Sequence, residues 1–95
     1  MTRSGELPSI TEYRLTDHAI LEMARRQIAQ SEVATVLSAP EQTDLVRPDR
    51  AVYQARVHAG DPPRSYLLRV VVDIDRDPPD VVTVYRTSKI EKYWR

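Results

Sequence analysis

Three proline-bearing breaks cut the second half of this chain into runs too short for anything but strands. They are Pro48-Asp49-Arg50, Gly60-Asp-Pro-Pro63 and the aspartate-rich Asp73–Asp80. Proline removes a backbone donor and fixes φ, so neither a helix nor a central strand continues through it. Between the breaks lie Gln42–Arg47, Ala51–His58, Ser65–Asp73 and Val81–Arg86. Two of these runs alternate. Tyr53, Ala55 and Val57 oppose Gln54, Arg56 and His58, and Tyr66, Leu68, Val70 and Val72 oppose Leu67, Arg69 and Val71. Consecutive strands with short turns imply an antiparallel meander.

The first half has a different period. Residues 1–12 are polar, contain Pro8 and show no repeat, so they read as a flexible N-terminus before a single domain over 13–95. Thr16 caps a helix to about residue 27, with Asp17 in its first turn. At about 100° per residue, Ala19, Ile20, Leu21, Met23, Ala24 and Ile28 share the apolar side, and His18, Glu22, Arg25 and Arg26 fill the remaining arc. Ser31 caps a second helix through about Ser38, with Val33, Val36 and Leu37 inward, and Pro40 ends it. The expected fold is α+β: two N-terminal helices packed on a four-stranded antiparallel sheet (ααββββ), followed by a C-terminal basic-aromatic tail. The helices cover one face, and the other stays at least partly open.

Composition removes several functions. Without cysteine there is no disulfide or thiolate chemistry. The N-terminus lacks an apolar signal region, and no apolar run approaches the ~20 residues of a membrane span, so the expected location is cytoplasmic with no membrane partner. The 14 Lys and Arg balance 14 Asp and Glu. Any nucleic-acid site is therefore a local patch rather than a generally basic coat.

Three groupings carry candidate chemistry. The tail Arg86-Thr-Ser-Lys-Ile-Glu-Lys-Tyr-Trp-Arg95 mixes cations with Tyr93 and the only tryptophan, which suits phosphates and stacked bases. Taken alone, it fits better a terminal segment packing Ile90 and Trp94 on the sheet. On the helix arc, His18 and Glu22 are four apart, as are Glu22 and Arg26, which fits either an acid–base and phosphate site or a solvated face of ion pairs. The sheet face with Gln54, Arg56, His58 and Arg69 takes in either Thr83 and Tyr85 or Arg86. Two arginines there repel unless an anion visits, although a half-covered sheet also shows a polar outer face. The run Asp73-Ile-Asp-Arg-Asp-Pro-Pro-Asp80 has the opening spacing of a calcium loop, but Pro78 stands where glycine is needed and Val84 where glutamate is. Two histidines without cysteine make no zinc site, and neither a phosphate-cradling glycine loop nor a serine-hydrolase elbow is present. No metal or cofactor is expected.

Thr16-Asp-His-Ala-Ile-Leu-Glu-Met-Ala-Arg-Arg-Gln-Ile28, then Ser31–Leu37 and Pro40, resembles the opening of a family of small prokaryotic proteins, domain of unknown function 4258. Tyr53, Tyr66–Val72 and Val82–Trp94 resemble its later strands and tail. The family looks like a relative of the RelE/ParE and barnase-like toxins, which set two N-terminal helices on a four-stranded antiparallel sheet. Many of these are metal-independent ribonucleases encoded beside an antitoxin. The resemblance carries His18 and Arg26 over as candidate catalytic residues. Where this chain has Glu22 and Gln27, the family often has arginine and glycine, and Arg25 is then a candidate substitute.

The resulting expectation is a toxin-type, metal-independent endoribonuclease. His18, Arg26 and Tyr85 are its catalytic candidates. Arg25, Arg56, Arg69, Arg86, Lys89, Tyr93 and Trp94 are its RNA-binding candidates. Its partners are RNA, free or ribosome-associated, with an antitoxin protein or a second copy of the chain. The alternative is a non-catalytic interaction module that binds through the open sheet face or edge.

Overall fold

The computed structural model describes residues 7–95. The elements are β1 (Arg14–Leu15), α1 (Asp17–Arg26), α2 (Gln30–Ser38), β2 (Gln42–Arg47), β3 (Arg50–Ala59), β4 (Arg64–Asp73), β5 (Asp80–Thr87) and α3 (Ile90–Tyr93). They form an α+β fold on one five-stranded mixed sheet of order β1-β5-β4-β3-β2. Strands β2 to β5 are the expected antiparallel meander. Two elements were not expected. β1 adds a strand parallel to β5, pairing Arg14 with Asp80 and Leu15 with Val81. Two residues carry no readable alternation, and their placement depends on long-range bonds such as Thr16 N to the Val81 carbonyl. The tail, for its part, closes into the short helix α3.

Thr16 caps α1 as expected, its hydroxyl accepting from Ala19 N at 3.1 Å. α2 begins earlier than Ser31. Ala29 takes the cap position, and its N–H donates to the Glu32 carboxylate at 3.0 Å. α1 lies along β5, and α2 lies against β3 and β4. Between helices and sheet sits one core, in which Met23, Val33, Val36 and Leu37 meet Tyr53, Leu68, Val70, Val81 and Val84. The buried line of α1 is Ala19, Glu22 and Met23. Ile20 and Leu21, expected inside, are 49% and 59% exposed, and Ala24 is exposed as well. Glu22 is shielded from solvent, its carboxylate paired on both oxygens, with Arg25 at 2.9 Å and Arg26 at 3.0 Å. That pairing offsets the cost of burying a charge.

Residues 1–6 of the expected flexible N-terminus lie outside the described residues. Residues 7–12 are tied to the core. Ile10 is buried with its N–H on the Leu37 carbonyl, and Tyr53 Oη donates to the Pro8 carbonyl at 2.6 Å. Burial pushes the Tyr53 phenol above its ordinary pKa.

Candidate functional site

The β ladder sorts the candidate residues onto opposite sides of the sheet. One row of directly opposed residues is Gln54–Arg69–Tyr85, and the next is Arg56–Leu67–Thr87. Both lie on the face away from α1 and α2. Arg86 opposes Leu68 and so faces the helix layer. The open choice between Tyr85 and Arg86 as the neighbour of Arg69 therefore resolves to Tyr85.

The outer face is crossed by the C-terminal segment rather than left open. Val52, Gln54 and Leu67 are buried there. The Tyr93 ring lies 4.0 Å from the Arg69 guanidinium, and Trp94 lies 4.4 Å from that of Arg56. These are stacking distances for cations on aromatic faces. Two glutamines hold the segment by its backbone. Gln54 Nε2 donates to the Tyr93 carbonyl at 3.2 Å and to Gln42 Oε1 at 2.8 Å. Gln42 Nε2 donates to the Arg95 backbone oxygen at 2.7 Å, and Gln42 Oε1 accepts from Arg95 N. Arg95 also pairs with Asp44 at 2.7 Å.

The two arginines of this face differ. Arg56 is neutralised: its Nε and Nη2 grip Glu41 at 3.1 and 2.8 Å, and its own N–H donates to the same carboxylate. Those bonds hold the Glu41 carboxyl well below the usual range, at about 2. Arg69 has no carboxylate partner among the described residues. Its Nε donates to Gln54 Oε1 at 3.0 Å and its Nη1 to Tyr85 Oη at 2.6 Å. Lys89 and Lys92 stand exposed near this face, and Lys89 N donates to Thr87 Oγ1.

The remaining candidates belong to the helix layer. Arg86 Nη2 donates to the Arg26 carbonyl at 2.6 Å, meeting the carbonyl end of α1 where a cation is favoured. Arg26 and Arg86 line a cleft of about 640 Å3 with Gln27, Gly60 and Tyr66. Bonding from Arg26 and the charge of Arg25 depress the Glu22 carboxyl, so both cations are partly neutralised. His18 is exposed in the first turn, about 12 Å along α1 from Arg26 at 1.5 Å per residue. His18 and Arg26 therefore do not share a site with Tyr85, and the catalytic set expected from sequence is divided by the sheet. Glu41, Gln42 and Asp44, which organise the outer face, were not among the candidates. Their signal was the β2–β3 register, in which Gln42 faces Gln54.

The sequence model of one family, described as Domain of unknown function (DUF4258), matches residues 15–86. No curated protein and no solved structure matches the chain. The matched span runs from the end of β1 to Arg86 and holds the β2–β5 meander but for its last residue, both long helices and the Gln54–Arg69–Tyr85 row, so the chain belongs to the DUF4258 family.

Proposed function

We propose that this protein is a metal-independent endoribonuclease of the RelE/ParE toxin type, acting on single-stranded RNA through the sheet face opposite the long helices. The observation that carries this reading is Arg69, a half-buried guanidinium oriented by Gln54, Tyr85 and Tyr93 with no described carboxylate to satisfy its charge. Such a cation suits a phosphodiester and the extra charge of its phosphorane. Tyr85 Oη accepts from Arg69, so its own proton is free to be donated. In the proposed step the RNA 2′-oxygen attacks the adjacent phosphorus and its proton goes to solvent. The bond to the 5′-oxygen breaks, and Tyr85 gives that oxygen a proton, leaving a 2′,3′-cyclic phosphate. Lys89, Lys92 and Trp94 flank the site and suit neighbouring phosphates and bases. His18, Arg25 and Arg26 have no part in the step. On this reading the protein works in the cytoplasm on free or ribosome-held RNA and is silenced by an antitoxin protein.

A second reading, a non-catalytic interaction module, draws on one observation. The cations of Arg56 and Arg95 are already spent on Glu41 and Asp44. One experiment separates the two: purified protein and mixed RNA in EDTA, with and without ribosomes, beside Arg69→Ala and Tyr85→Phe. Cuts with cyclic phosphate ends that vanish in both variants support the nuclease. Folded protein that cuts under neither condition supports the module.

A further inference from the structure

We propose that the pocket between β2 and the C-terminal segment is a subsite for a single phosphate group, and that Gln54 is the positioning residue that keeps Arg69 available to it. The proposal rests on the RNA-directed reading above and assigns that site its anion-holding part. The pocket measures about 140 Å3 and is lined by Gln42, Gln54, Arg69, Lys92, Tyr93 and Arg95, among others. Sites that enclose a drug-sized molecule start at roughly 300 Å3, so this one fits a tetrahedral oxoanion and leaves the nucleoside outside. Three cationic side chains line it against one side-chain carboxylate, Asp44, which Arg95 already engages.

Gln54 explains why Arg69 retains its charge. At 4% exposure it is the one buried uncharged polar side chain among the described residues. Its oxygen orients the Arg69 fork, while its nitrogen holds Gln42 and the Tyr93 carbonyl. A glutamate of the same length would also accept from Arg69. It would, however, neutralise the guanidinium and lose both donor bonds. The neighbouring strand arginines show that alternative: Arg50 is closed by Asp73 at 2.7 Å and Arg56 by Glu41 at 2.8 Å. Leaving a half-buried cation without a counter-ion carries a cost. The Tyr93 ring at 4.0 Å and the Tyr85 ring at 5.7 Å offset part of it without cancelling the charge.

The test compares wild type with Gln54→Glu, Gln54→Met and Arg69→Ala. The full chain is titrated with inorganic phosphate and with a short oligouridylate, followed by Trp94 fluorescence, with Tm measured for every variant. Gln54→Glu should weaken both ligands by about tenfold. Gln54→Met keeps the free charge and should bind within about threefold of wild type, while its cleavage kcat falls by about tenfold or more. Arg69→Ala should abolish phosphate binding. Wild type that binds neither phosphate nor RNA would overturn the RNA-directed reading itself. Wild type that binds RNA while Gln54→Glu binds it as tightly would overturn only the role of Gln54. Equal losses in both Gln54 variants, in step with lower Tm, would make Gln54 structural. Arg69→Ala that still binds phosphate would remove the subsite, whether or not Gln54→Glu folds.

Discussion

Arg69 Nη1 donates to Tyr85 Oη at 2.6 Å from the directly opposite position on the neighbouring strand. A bond between opposed residues of two paired central strands is held by the ladder itself, without a loop to relax it. The geometry therefore sets a guanidinium and a phenol at fixed separation, on the face where neither α1 nor α2 can reach; on the reading proposed above they are the phosphate-binding group and the proton donor.

That separation predicts how the catalytic candidates divide. Tyr85→Phe removes only a hydroxyl, and RNA cleavage should fall by about 10²- to 10⁴-fold, the usual worth of a positioned acid. His18→Ala should leave the rate within about twofold of wild type, because His18 stands in the first turn of α1, in the layer across the sheet. Single-turnover cleavage of one labelled oligonucleotide by both variants decides this. A large loss in His18→Ala with none in Tyr85→Phe would move the chemistry to the helix layer.

The contrast between Arg69 and Arg56 predicts two salt dependences. Each phosphate contact on a single strand adds about 0.7 to the slope of log affinity against log salt. Arg69→Ala should lower that slope by about this amount. Arg56→Ala should change it much less, since Glu41 already occupies its Nε and Nη2. Equilibrium binding across a salt series gives both slopes, and equal slopes for the two variants would contradict the geometry.

Much of this arrangement could be read from the chain, and the exceptions have physical causes. Proline breaks bounded the four meander strands, and alternation placed Gln54, Arg56 and Arg69 together. Alternation could not reveal β1, whose two residues pair with a strand sixty-six positions away, Arg14 with Asp80. The phase of α1 is narrower than its apolar residues suggest: Ile20, Leu21 and Ala24 stay exposed, while Glu22 is covered through its bonds to Arg25 and Arg26. The covered outer face was legible only in part: a tail that packs Trp94 on the sheet was one of its two readings, but what holds that tail was not readable. Gln42 and Gln54 grip the backbone of Tyr93 and Arg95 rather than their side chains, and no residue pattern in the tail encodes such contacts.

Gln27 ends α1 in the left-handed region, with φ 56°, and its N–H donates to the Ala24 carbonyl. Glycine adopts that conformation without the Cβ clash, though it also loses more freedom on folding. The balance predicts that Gln27→Gly stabilises the protein by about 0.5 kcal/mol, while Gln27→Val destabilises it by about 1 kcal/mol or more. Urea unfolding of both variants measures the pair. A Gln27→Gly variant less stable than wild type would mean that the Gln27 side chain outweighs the backbone strain.

Glu41 links stability and binding with opposite signs. Its folded pKa is depressed from 4.5 to about 2, chiefly by the side-chain bond from Arg56. A depressed carboxylate stabilises the fold above its unfolded pKa, and that contribution is lost as pH falls through the folded value. The Glu41 contribution should thus be full above about pH 5, mostly lost near pH 2 and gone only below it. Glu41→Gln should therefore melt below wild type at pH 7, with the gap closing as the pH approaches 2. The same substitution frees the Arg56 guanidinium beside Trp94 on the face proposed to bind RNA. At pH 7, RNA affinity of Glu41→Gln should rise by about two- to fivefold while Tm falls, because one cation is returned to the phosphate-binding face. Thermal melts at both pH values, paired with RNA titrations at pH 7, measure the two effects in one variant. A fall in both would show that Arg56 serves only the fold.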